Sequence, residues 1–285
     1  MKKLVALFLI ATAVVSCNNK KEQESTPVET AQVKERIISL NGAISETLVV
    51  LGEKENIIAV DVTSTYPTDL KETAQDLGHT SKISVESIMA LKPTVIYATE
   101  KDLKDDFKAS LQKANIRLEI LKQEFTLEGS KQLIQAVAKS LNKDNYKELQ
   151  DKIDQDLEGV VKFEKAPKVL FIYARGAATL LVAGDKTPAN SIINLAGGQN
   201  AVTEFEDFKP LTPESLLNSN PDYILMFTTG LESMGGVDGV LKIDGISKTN
   251  AGKNKKIIAM DGQLLNGFGP RVGQAAKELN KLLSE

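Results

Sequence analysis

Val85-Glu-Ser-Ile-Met-Ala-Leu-Lys-Pro93-Thr-Val-Ile96 aligns without a gap with Pro213-Glu-Ser-Leu-Leu-Asn-Ser-Asn-Pro221-Asp-Tyr-Ile224, at a constant offset of 128 residues (214 − 86). In each copy a Glu stands in the first turn of a short helix, where the helix dipole favours a carboxylate, and a proline turn leads into an apolar strand. One register held over the whole stretch implies two related lobes. The cleft between two lobes is the default place for a ligand.

Short apolar runs surround the first copy at Ile37 to Leu40, Ile57 to Val60, Thr94 to Ala98 and Ile116 to Leu121, separated by helical patterns near 43–52, 85–91 and 101–114. Continuous apolar runs alternating with helices predict strands buried on both faces of a parallel sheet. Gly129 to Glu164 carries no strand signal and predicts a helix to about Leu141, a break at Asn142 to Asp144, and a long helix to about Phe163, stopped by Pro167. A second α/β stretch follows, with strands at Lys168 to Tyr173, Thr179 to Ala183, Asp222 to Thr228 and Lys256 to Met260, and a final helix from Arg271 to Leu283. The expected architecture is α/β: two Rossmann-like lobes with parallel sheets, residues 35–142 and 167–285, joined by a single long rigid α-helix over 143–166, with the ligand cleft between them.

The composition narrows the function. With 285 residues, 42% hydrophobic and 26% charged, the chain is neither a disordered tail nor a multi-pass membrane protein. One Cys and one His cannot build a four-ligand zinc site, and no internal disulfide can form. A net charge of -3 offers no basic excess for nucleic acid. No Gly-x-Ser-x-Gly elbow, Walker A loop or His-Glu-x-x-His is present, and at Gly267-Phe-Gly269 the third glycine of a dinucleotide loop is replaced by Val272.

Lys2 and Lys3 precede the apolar run Leu4 to Val15, too short for a membrane span of ~20 residues, and the only Cys follows at Cys17. This resembles a bacterial lipobox. It implies a signal peptide over 1–16, a lipidated Cys17 opening the mature chain, and a flexible polar tether to residue 34. The protein is then exported and lipid-anchored to a bacterial membrane, facing the periplasm or extracytoplasmic side.

Arg36-Ile-Ile-Ser-Leu, Ile58-Ala-Val-Asp61, Val85 to Pro93 and Leu211-Thr-Pro-Glu-Ser-Leu resemble the substrate-binding proteins of ABC importers for vitamin B12, iron-siderophores and haem, over residues 36 to 285. Thr63-Ser-Thr-Tyr-Pro67, Tyr173-Ala-Arg-Gly176, Leu181-Val-Ala-Gly184, Gly230-Leu-Glu-Ser-Met-Gly-Gly236 and Gly267-Phe-Gly-Pro-Arg271 are similar to the haem-binding branch. The resemblance implies a monomer that captures haem b (hemin) as transported ligand, with no catalytic cofactor, and passes it to an ABC permease dimer with its ATPase subunits. A ferric siderophore or corrinoid is the alternative cargo. An extracytoplasmic haem-dependent or hydrolytic enzyme is the alternative class.

Ferric haem needs an axial ligand, an apolar slot and donors for two propionates, and tyrosine is a known axial ligand. Of five tyrosines, Tyr97, Tyr173 and Tyr223 fall in expected strands and Tyr146 in the linking helix, which leaves Tyr66 on a loop after a strand, beside Pro67. The family's haem-liganding tyrosine also maps onto Tyr66. Arg175 and Arg271, in Gly-containing loops at strand ends, are candidates for the propionates or the cleft rim, since a guanidinium grips a carboxylate with two hydrogen bonds. Thr68 and Thr229 stand where haem-binding relatives often carry basic residues. His79 could give a second ligand or a hydrogen bond to the phenol, or simply stand in solvent. Glu86 and Glu214 match the two lobe glutamates that in this family dock into arginine pockets of the permease; plain helix capping is their other reading.

Overall fold

Side chains alternate between two buried clusters along the apolar runs, which makes sheets of them. The computed structural model describes residues 34–114, 116–176 and 180–285, so Cys17 and the expected signal peptide lie outside it. Five strands, β1 (Ile37–Ser39), β2 (Ile57–Val60), β3 (Gln75–Asp76), β4 (Val95–Thr99) and β5 (Arg117–Leu121), form a parallel sheet in the order β3-β2-β1-β4-β5. Ile37, Val60, Val95 and Tyr97 face one cluster, and Ile38, Ala59, Ile96 and Ala98 face the other.

A second sheet contains β6 (Lys168–Ala174), β7 (Leu180–Ala183), β8 (Gln199–Asn200), β9 (Phe208–Pro210), β10 (Tyr223–Phe227) and β11 (Ile257–Met260), ordered β11-β10-β6-β7-β9 with β8 also beside β6. The repeat is visible in three dimensions. Helix Val85–Ala90 and β4 reappear as helix Pro213–Ser219 and β10, with both strands starting and ending at the 128-residue offset. β4 lies parallel to β1 as β10 lies parallel to β6.

Two expectations are corrected. The second sheet is mixed, because β7 runs antiparallel to both β6 and β9. Only residues 175–179 separate β6 from β7, whereas a parallel crossover needs a dozen or more residues. Secondly, the helix between the sheets covers Tyr146–Leu157, about 18 Å, and does not reach Phe163. Beyond it the chain leaves helical geometry to run along the final helix, Val272–Ser284, where the buried Asn280 amide bonds both Val161 N–H (3.0 Å) and Val161 C=O (2.8 Å).

Stiffness between the lobes comes from two helices rather than one. Helix Leu127–Ser140 sends Leu133 and Val137 into the first lobe's core and Ile134 into the second's, while Tyr146 and Leu149 of the next helix pack against both. Lys131 ties the pair together through Asp154 at 2.6 Å. Asn280→Leu leaves the Val161 peptide and the Ala196 carbonyl unpaired, so urea unfolding is expected to show a loss of about 2–3 kcal/mol.

Candidate functional site

The carboxyl ends of β1, β2, β4, β5, β10 and β11 converge on one cleft of about 450 Å³, within the usual range for small-ligand sites. Asn41, Thr63, Thr65, Thr99, Lys101, Asp102, Gln123 and Phe125 line it from the first lobe. Phe227, Thr229, Asp261, Gln263 and Asn266 line it from the second. In the first lobe it opens where strand order reverses, between β1 and β4, the place an open α/β sheet leaves a crevice.

The loop after β2 is built on Asp61, which is 2% exposed. Its carboxylate accepts from Thr63 N (3.1 Å), Thr63 Oγ1 (2.7 Å) and Ser64 Oγ (2.8 Å), an Asx turn that starts the loop. Ser64 then joins buried Ser45 at 2.7 Å. Gly42 opens helix Gly42–Val50 against this loop; a Cβ there would stand 2.6 Å from the Thr63 carbonyl oxygen, so only glycine permits the approach.

The far end of the loop is held by the other lobe. Gln263 Oε1 accepts from Thr65 N (2.6 Å), Thr65 Oγ1 (3.0 Å) and Tyr66 N (2.8 Å), and its Nε2 donates to the Gly42 carbonyl (2.8 Å) and Glu46 (3.3 Å). Arg271 grips Glu46 with two hydrogen bonds of 2.8 and 2.9 Å. The same guanidinium lies over the Tyr66 ring, 3.6 Å from its centroid. One face of the phenol is thus covered by a cation, while the residue remains 39% exposed.

Burial pushes the Glu46 carboxyl above the usual glutamate range, and Arg271, by hydrogen bond and charge, pulls it only part of the way back. Asp102 is also raised by burial, against the hydrogen bonds from Thr99 and Asn41. It accepts from Thr99 N (2.9 Å), Thr99 Oγ1 (2.7 Å) and Asn41 (3.2 Å). Asn41 also reaches Gln123, which donates to the Gly267 carbonyl of the second lobe at 3.0 Å.

The expected site residues separate. Tyr66 follows the cleft-lining Thr65 but is itself outside the cleft wall, as is Arg271. Arg271 is committed to Glu46 and Tyr66. Arg175 is exposed at the end of β6, bonded to the Tyr173 hydroxyl at 2.5 Å, and Tyr173 packs edge-on against the cleft-lining Phe227. His79 is exposed, pairs with Ser81 at 3.0 Å, and lines a neighbouring pocket of about 480 Å³ that shares Lys101 and Asp102 with the cleft. Thr229 is in the cleft wall. Glu86 and Glu214 are exposed on their equivalent helices, where Ser84 and Thr212 supply the side-chain caps.

Three functional residues escaped the sequence reading. Among the described residues Lys101 is the one cationic side chain in the cleft wall, 4.9 Å over the Phe125 ring. Its place directly after a buried strand was the available signal. Glu46 sits inside an apolar helix and Gln263 in the short helix Gly262–Asn266, and nothing local marked either.

Two α/β lobes facing a cleft across a stiff helical link define a ligand-binding protein of the two-lobed class. The chain belongs to the periplasmic binding protein family, which matches residues 37–264. Its structure is similar to that of the periplasmic heme-binding protein RhuT from Roseiflexus sp. RS-1, with 36% identity and a TM-score of 0.84 over 87% of this chain and 97% of that one. The high-affinity heme uptake system protein IsdE of Staphylococcus aureus (strain bovine RF122 / ET3-1) is 27% identical over 81% of this chain and 78% of its own. An ABC transporter substrate-binding lipoprotein of Bacillus subtilis (strain 168), YvrC, is 24% identical over 96% and 94%.

Gln263→Leu strips the partners from two loop amides, and denaturant unfolding is expected to show a loss of about 2–6 kcal/mol, at about 1–3 kcal/mol per unsatisfied group. Asp102 holds its proton to higher pH when folded than when unfolded, so the stability this confers is present at pH values below the usual aspartate range and is lost as pH rises through the raised value. Asp102→Asn removes that loss. Relative to the parent, the variant should therefore gain stability as pH rises above the usual aspartate range, read from urea midpoints at each pH.

Proposed function

We propose that the chain captures haem between its lobes and delivers it to a membrane ABC importer without chemistry on the ligand. The observation that carries this reading is Tyr66: a phenol held at both ends of its loop, stacked under Arg271, and exposed beside the cleft. Among the described residues no group of three or more His, Cys, Asp or Glu could hold a bare metal ion. Haem brings four equatorial nitrogens and requires from the protein only an axial donor, which an oxygen of Tyr66 supplies.

Phe125, Phe227 and the backbone of Gly262 and Gly267 give the porphyrin an apolar flank. Lys101 is the cation placed to meet a propionate, with the Thr229 hydroxyl as a donor. Arg271 acts on Tyr66, not on the propionates: its guanidinium covers one face of the phenol ring and holds the ring's orientation. Arg175 serves the outer rim through Tyr173. The heme-binding description of RhuT and the heme-uptake description of IsdE support this cargo over a siderophore or corrinoid.

Glu86 and Glu214 then dock the loaded protein to the two permease subunits, and Cys17 tethers it by lipid to the membrane, as the lipoprotein description of YvrC supports. Titrating the purified protein with hemin tests the cargo. A Soret shift is expected in the parent and a large loss of it in Tyr66→Phe; a parent spectrum equal to free hemin, with a ferric siderophore or corrinoid bound instead, contradicts the reading.

A further inference from the structure

Six large apolar side chains are exposed among the described residues: Val50, Val62, Tyr66, Met89, Val161 and Leu217. Scattered exposed apolar residues need no explanation by themselves. Met89 and Leu217 differ from the others because they are related by the repeat offset of 128 (217 − 89), and no other two of the six are.

Their surroundings are also repeated. Met89, 38% exposed, follows Glu86 by three residues, and Leu217, 42% exposed, follows Glu214 by three, so each apolar side chain shares a helix face with its carboxylate. The residue before each, Ile88 or Leu216, is buried at 0% or 1% and pins the helix to its lobe. The N-caps correspond, with Ser84 Oγ accepting from Ser87 N and Thr212 Oγ1 from Ser215 N, both at 3.1 Å. Neither carboxylate has an ion-pair partner among the described residues. Each lobe therefore presents the same surface: an unneutralised carboxylate with an apolar side chain one helical turn behind it.

We propose that Met89 and Leu217 are the apolar anchors of a docking surface repeated once per lobe, and that its occupant is the outer face of a dimeric permease offering, on each half, a cationic side chain beside an apolar notch. This rests on the importer reading above. Charge complementarity and the repeat argue for that occupant: two equivalent acidic and apolar pairs match a partner with twofold symmetry. The carboxylates steer and orient, while the apolar side chains supply the desolvated contact that sets the lifetime of the complex.

The test measures binding of the hemin-loaded protein to its permease complex in nanodiscs, with hemin affinity read in parallel. Met89→Ser and Leu217→Ser should each weaken docking by about tenfold, the effect of losing ~1.4 kcal/mol at a hot spot, and the double variant by about a hundredfold. Hemin affinity, the Soret band and helical circular dichroism should be unchanged. Glu86→Ala with Glu214→Ala is the reference. If that pair abolishes docking while Met89→Ser with Leu217→Ser binds like the parent, the apolar anchors are wrong and the importer reading stands. If only one of the two serines matters, the repeated surface is wrong. If neither pair affects docking, the importer reading falls and this inference with it.

Discussion

A glutamate with 4% of its side chain accessible, inside an apolar helix, has to be compensated, and Glu46 is met by Arg271 from the other lobe through two hydrogen bonds. Leaving one member of such a pair buried alone costs about 3–5 kcal/mol, so the contact is a constraint on where the lobes can sit. Its consequence is positional. With its edge taken by Glu46, the guanidinium turns its face to the Tyr66 ring, and Gln263 fixes the Tyr66 backbone from the same lobe. That one ion pair sets where the Arg271 face meets the Tyr66 ring, while Asp61 and Gln263 hold the two ends of the loop.

The fold delivers these groups to one place. Parallel strands end together, so Asn41, Thr63, Thr99 and Gln123 arrive from four strand ends at the same crevice, and Phe227 and Asp261 face them from two strand ends of the second lobe. The connecting helices bury side chains in both cores, which resists a wide hinge, and a further bond from Gln123 to the Gly267 carbonyl closes the back of the cleft. A binding site of this kind is largely preformed, and little ordering has to accompany capture.

Much of this could be read from residues alone where the signal was local or repeated. The 128-residue repeat located β4 and β10 to within one residue at each end, and the loop position of Tyr66 followed from excluding strand and helix tyrosines. The short strands β3, β8 and β9 were missed because Gln75, Asp76, Gln199 and Asn200 carry no apolar pattern, and backbone pairing at a sheet edge needs none. The linking helix ends earlier than expected: Gly159, Val160 and Val161 are weak helix formers, a local signal masked by the charged, proline-free run before them, and the Asn280 contact that draws the chain away lies 119 residues from Val161. Arg271 stands out in the sequence as a candidate for the propionates or the cleft rim, but its pairing with Glu46 is not legible there. Its partner is 225 residues distant, and periodicity contains no information about which charge a buried glutamate will meet.

The most direct measurement is a crystal structure of the hemin complex. Iron is expected on the Tyr66 phenolic oxygen, with Arg271 still paired with Glu46 and stacked on the Tyr66 ring, and a propionate within hydrogen-bonding reach of Lys101. Iron held by His79 or by solvent alone, with Tyr66 unbonded and the Arg271 to Glu46 contact broken, would contradict this arrangement.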